Sequence, residues 1–185
     1  MGTLEATARV YAAAVAGPVH GIASSMLGEF ERELATTRTF LSRVPEGKLE
    51  WRPHPKSMTA GQLALHIAEV PLGVLSMAML DEAEVPDMSR PRLQAGSVKD
   101  VLDALEKGAA FVRATLPTID DVRMMEEFKV MRGGKVAMAV PRVGFLRMIM
   151  LNHWYHHRGQ LGVYLRLLGV SVPVSYGPSG DEAPF

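Results

Sequence analysis

The chain contains no cysteine. That absence excludes a disulfide scaffold, a thiolate zinc site and a cysteine nucleophile, so any metal must be held by nitrogen and oxygen. Thiol chemistry therefore says nothing of the compartment, and a reducing cytoplasm is the default expectation. Net charge is absent too: Lys plus Arg number 20 and Asp plus Glu number 20. Such a balance gives no bulk attraction for nucleic acid. No apolar run reaches the ~18–20 residues that a membrane-spanning helix needs, and no membrane partner is expected. The small apolar stretch from Val10 to Val19 is preceded by Glu5, with no basic residue before Arg9. A cleaved signal would have a basic start. Residues 1–21 are accordingly expected to be a loosely ordered N-terminal extension or a start-site artefact. No repeat, low-complexity tract or linker divides the rest, and residues 22–185 read as one domain.

Apolar residues make up 48% of the 185, enough to build a core without staples. Their spacing predicts four helices. The first runs from Ile22 to Val44, where Met26, Leu27, Phe30, Leu34 and Leu41 recur at three-four intervals and Pro45 stops it. The segment Trp51-Arg52-Pro53-His54-Pro55 must be an extended loop, because each proline denies helix to its predecessor; it is expected to pack over the bundle end. The second helix starts at Thr59, with Gln62 completing a capping box, and continues to about Leu80 with a possible kink at Pro71. The third begins near Ser97, with Asp100 as capping partner, and stops before Pro117. Phe128, Val130, Val136, Met138 and Val140 then alternate about Gly133-Gly134, which predicts a short β-hairpin. Pro141 opens the fourth helix, which ends at Gly169. The tail should be irregular. The expected fold is all-α: a four-helix bundle with long crossover loops, plus that hairpin before the fourth helix. Met124, Met125, Met131, Met138, Met148 and Met150 read as adaptable core filler, with an apolar pocket lining as the alternative.

Three of the six histidines crowd into the fourth helix. His153 and His157 are four apart, one turn along one face, and can aim ring nitrogens at one ion ~2.0–2.1 Å from each. The stripe Ile149, His153, His157, Leu161 and Tyr164 faces the core. Imidazoles there are expensive to desolvate unless paired, hydrogen-bonded or metallated. His66, flanked by Leu63, Ile67 and Val70 on the second helix, is the candidate third ligand. Alone, it reads as a satisfied core histidine rather than a ligand; together with the other two, it points to convergence on one ion. His156 projects ~100° away from His157 and cannot easily share its ion. His54 sits in the proline loop as a surface or pocket-rim residue, and His20 is incidental.

Two groups of residues carry a family resemblance. One runs from Arg43-Val44-Pro45 through Trp51-Arg52-Pro53-His54-Pro55-Lys56-Ser57-Met58-Thr59 to Gly61-Gln62-Leu63 and His66-Ile67-Ala68-Glu69. The other comprises Asn152-His153, His156-His157-Arg158-Gly159-Gln160-Leu161, Val163-Tyr164-Leu165-Arg166, Val172-Pro173 and Tyr176-Gly177-Pro178-Ser179. Together they resemble the DinB-like superfamily, the DinB/YfiT-like metalloenzymes, over roughly residues 22–182. The resemblance implies a metal-binding four-helix bundle, often a homodimer. It places the metal ligands at one second-helix histidine and two fourth-helix histidines four apart, which are His66, His153 and His157 here. The family's name derives from a damage-inducible protein and implies no DNA polymerase activity. Some branches resemble transferases or isomerases that use low-molecular-weight thiols such as mycothiol or bacillithiol.

Three neutral histidines leave a position open on zinc, nickel or a similar divalent ion. Bound water at such a site leads to hydrolysis, and a bound thiol to S-transfer. With no thiol in the chain, a low-molecular-weight thiol would have to arrive as co-substrate. The expected function is a divalent-metal-dependent enzyme acting on a small molecule. The alternative is a non-catalytic, stress-associated metal-binding protein. His54, Glu69, His156, Arg158, Gln160 and Tyr176 are candidate supporting or pocket residues. Each has another reading: Gln160 as a loop cap, Arg158 in a surface ion pair, Tyr176 as a pin for the tail, Glu69 facing solvent. Ordinary imidazoles would release a metal below about pH 6 as they protonate.

Overall fold

The computed structural model describes residues 21–183 apart from Met88 and Arg90. Most of the expected N-terminal extension, with His20, lies outside the described residues. Helix α1 spans Ile22–Ser42 and α2 spans Ala60–Ala78. A short strand β1, Glu82–Glu84, precedes α3, Val98–Thr115. A brief helix α4, Asp121–Met125, leads into the hairpin β2, Glu127–Arg132, and β3, Lys135–Pro141. The last rod is three consecutive pieces: α5, Arg142–Phe145, a π-helical stretch, Leu146–Asn152, and α6, His153–Leu167.

Local chemistry sets the helix starts. Thr59 accepts from the Gln62 amide at 3.1 Å while Gln62 accepts from the Thr59 amide at 3.0 Å, so both sides of the expected capping box are made. Ser97 accepts from the Asp100 amide at 3.0 Å. Gly21 offers α1 no side-chain cap. Instead Asp121 of α4 accepts from the Ile22 amide at 2.8 Å, a carboxylate at the positive end of the helix dipole.

The hairpin forms as its alternation predicts, with Gly133 and Gly134 at φ 57° and 73°, the left-handed pair that a tight two-residue turn demands. The sheet has a third strand that the sequence did not signal. β1 pairs parallel to β2, which pairs antiparallel to β3. Glu82-Ala83-Glu84 is too short and too polar to show strand character alone; β2 supplies its ladder. Arg142, fully buried, donates to the Ala78 and Leu80 carbonyls. A cation therefore sits at the negative end of α2 and ties the sheet side of the molecule to the bundle.

One core runs through the bundle, with Phe30, Leu34 and Leu41 from α1, Leu63, Ile67 and Leu75 from α2, Leu105 and Val112 from α3, and Trp154, Leu161 and Leu165 from α6. By length and composition α2 is apolar enough to cross a bilayer, although Gln62, His66 and Glu69 interrupt its apolar run. More than half of it is buried inside the bundle. The methionines divide: Met124 and Met150 fill core, whereas Met125 and Met148 are exposed. The Trp51 loop does pack on the bundle, its indole edge-on to Tyr164 at 5.6 Å between ring centroids.

The contact that sets α2 against α6 comes from Pro71. Proline has no N–H, so the Ile67 carbonyl four residues earlier loses its helical donor. Trp154 Nε1 donates to that carbonyl at 2.8 Å, and the buried indole stacks on Phe30 at 5.2 Å. Replacing Trp154 with alanine should cost about 3–5 kcal/mol through cavity formation and an orphaned acceptor. Trp154→Phe, which keeps an aromatic ring but no donor, should cost less. Denaturant unfolding of the metal-free protein measures both.

Candidate metal centre

His66 immediately precedes Ile67, and His153 immediately precedes Trp154. The indole–carbonyl bond therefore clamps the two helices at the level of these histidines. Their Nε2 atoms lie 3.1 Å apart. His157, one turn along α6, has its ring centroid 4.6 Å from that of His66 and 4.3 Å from that of His153. Ring nitrogens of all three fall within 4.8 Å of one another, and among the described residues no other His, Asp or Glu joins the cluster.

The three imidazoles are electrically uncompensated by acids. His157 is buried, and His66 and His153 are half-buried. Burial is the main cause that pushes His66 down to about 4, with the neighbouring His157, His153 and Arg92 charges acting in the same direction. His157 also falls to about 4, again chiefly through burial, against the opposing hydrogen bond to Gln160. His153 is lowered by burial and then by His156 and Arg92. The histidines are thus held neutral, the form that ligates. Gln160 Oε1 lies 2.6 Å from His157 Nδ1. An Nδ1–H donated there leaves the Nε2 lone pair free for an ion.

This donor set fits a divalent ion. Two nitrogens on tetrahedral arms of ~2.0–2.1 Å stand about 3.3 Å apart, close to the His66–His153 separation. A cavity of about 140 Å³ opens beside the cluster, lined by Gln62, Leu65, His66, Glu69, Arg92 and Leu93. Glu69 is exposed at the edge of this cavity, and the partial loss of water there raises its carboxyl.

The remaining sequence candidates separate by position. Gln160 touches His157, and Glu69 shares the cavity with His66. His156 is exposed, its ring 5.0 Å from that of His157. His54 is exposed, and its Nδ1 accepts from the Lys56 amide at 3.1 Å within its own loop. Arg158 and Tyr176 line a different groove, of about 570 Å³, that contains none of the three clustered histidines. Arg158 is buried rather than on the surface, ion-paired to Glu33 at 2.6 Å and lying over the rings of Tyr155 and Tyr176. Tyr176 pins the tail through its hydroxyl to Glu33 at 3.1 Å. Arg92 is the site residue that sequence reading missed. It lies in a polar loop with no periodicity, and only the fold brings it to the histidines.

Comparison with known proteins settles the family. The model of the DinB superfamily matches residues 29–161. The chain belongs to the DinB superfamily. It is 26% identical over 158 residues to the uncharacterized protein YrdA of Bacillus subtilis (strain 168), covering 84% of this chain and 89% of that protein. The fold of a DinB-like protein from Bacillus cereus ATCC 10987 superposes with a TM-score of 0.64 at 26% identity, over 81% of this chain and 95% of that one. YfiT from Bacillus subtilis, described as a probable metal-dependent hydrolase with an unusual four-helix bundle topology, shares the fold with a TM-score of 0.58 at 13% identity, over 80% and 89% of the two chains.

The lowered imidazoles set a pH dependence for the metal-free protein. In the unfolded chain His66 and His157 titrate near 6.5, and in the folded chain near 4. Between those values the unfolded state binds protons that the folded state refuses. Stability is therefore complete above about 6.5 and is lost as the pH falls toward about 4. Denaturant midpoints from pH 7 to 4 should show this decline, and His66→Gln should flatten it. The same burial shifts proton competition for a metal below the ordinary threshold near pH 6.

Proposed function

We propose that His66, His153 and His157 hold one divalent metal ion, zinc or nickel, and that the protein is a metal-dependent enzyme acting on a small molecule, with hydrolysis the reaction its residues support best. The convergence of three neutral imidazole nitrogens beside a cavity carries this reading. Three protein ligands leave the ion's remaining positions to water or substrate, as in catalytic rather than structural sites. When bound, the ion supplies Lewis acidity and acidifies the water or thiol it holds.

The chain's own residues divide the remaining work. Gln160 orients His157 through Nδ1. Glu69, its carboxyl raised by partial loss of water, sits at the edge of the cavity where a hydrolysis needs a group to take up and return a proton. Leu65 and Leu93 give the cavity apolar wall. The description of YfiT as a probable metal-dependent hydrolase agrees with this division. Thiol-dependent transfer, which the family resemblance raises, would need a thiol from outside, because the chain has no cysteine.

Tag-free protein stripped of metal and titrated with zinc or nickel against a chromophoric chelator should bind one ion per chain. His153→Ala should abolish that binding while far-ultraviolet helicity survives. Gln160→Leu should weaken it about 10–100-fold, the usual effect of losing a partner that orients a ligand. A wild-type protein that binds no ion contradicts the reading. Turnover of small esters and amides without added thiol supports hydrolysis; turnover only with added thiol selects S-transfer instead.

A further inference from the structure

We propose that the substrate carries an anionic group, a carboxylate or a comparable small anion, and that Arg92 receives it across the cavity it shares with His66 and Glu69. This rests on the metal reading above and names the class of molecule that the site selects.

Most arginines among the described residues hold acids: Arg147 holds Glu29, Arg158 holds Glu33, Arg113 holds Glu31 and Arg166 holds Asp181. Arg32, Arg52 and Arg132 make no ion pair there, but none of them lines the cavity beside His66. Arg92 makes no such ion pair among the described residues, although it lines the cavity. Its side chain and that of His66 line the same cavity. An exposed guanidinium facing neutral imidazoles, beside an ion that would add two more positive charges, makes this end of the bundle attractive to an anion. The fork of N–H donors suits a carboxylate or phosphate oxygen pair. Glu69 is the one acid lining the cavity, a single carboxylate against the guanidinium and the charge of a bound ion.

The backbone that carries Arg92 is held against α2. Gln94, two residues on, accepts from Thr59 Oγ1 at 2.6 Å and donates to the Leu49 carbonyl at 3.3 Å. This approach needs Gly61, where an added Cβ would stand 2.3 Å from Gln94 Nε2. Gln62, one turn before His66 on the same face, reaches the Arg92 carbonyl at 3.5 Å. The loop is thus referenced to the helix that bears His66, which is what a recognition residue requires.

The test uses cobalt(II)-loaded full-length protein and two probes that present the same sulfur with different tails, mercaptoacetate and 2-mercaptoethanol. Binding is read from the sulfur-to-cobalt charge-transfer band, with no turnover required. Wild type should bind mercaptoacetate about tenfold more tightly than 2-mercaptoethanol, the scale of one charge-assisted contact. Arg92→Gln should keep the cobalt spectrum and the affinity for 2-mercaptoethanol while losing that preference. A preference unchanged in Arg92→Gln, or absent from wild type, overturns the role of Arg92 and leaves the metal reading standing. A wild-type protein that acquires no cobalt spectrum overturns both.

Discussion

A missing hydrogen organises this bundle. Pro71 cannot donate to the Ile67 carbonyl, and the buried indole of Trp154 takes the vacated position. In a helix interior proline is ordinarily a defect. Here the defect is a socket for one side chain of the opposing helix. Stacking on Phe30 of α1 holds the indole from the other side, so three helices are referenced to one ring. Each partner in the bond is the chain neighbour of a clustered histidine. The spacing of His66 and His153 thus follows from a contact that neither makes.

The cluster itself would be a liability without a purpose. Three imidazoles share a half-buried space with no acid among them. Burial and mutual proximity keep them neutral, and His66 and His153 can share one Nε2 proton as a hydrogen bond across 3.1 Å. The proposed cation would take the place of that proton, and the tautomer set by Gln160 presents His157 suitably. Nearby Arg92 and Glu69 then differ in kind from the paired surface charges. Neither is matched across the cavity by a salt bridge among the described residues, and both face the space where a small molecule would sit.

Much of this was legible in the residues. Capping chemistry at Thr59 and Ser97 is local, so the starts of α2 and α3 could be placed to the residue. The His153–His157 pair follows from helical spacing, and His66 from the apolar stripe around it. What escaped depends on tertiary contact. The π-helical stretch Leu146–Asn152 carries no distinguishing composition and shifts the phase of the last rod just before His153. Strand β1 exists only because β2 pairs with it. Arg158 was open to a surface ion pair, yet it is buried against Glu33, and Arg142, which no pattern singled out, is buried against carbonyls at the end of α2. Pro71 was visible as a possible kink, but its role depends on a tryptophan 83 positions later, which no local pattern links to it.

The proposed centre has imidazoles from α2 and α6 on one ion, with part of its shell left to other ligands. X-ray absorption at the metal edge of the zinc- or nickel-loaded protein addresses it directly. The account predicts three imidazole nitrogens at ~2.0–2.1 Å, with the remaining first-shell scattering from non-protein oxygen. A spectrum with fewer than three imidazoles, or with a shell closed entirely by protein ligands, would contradict it.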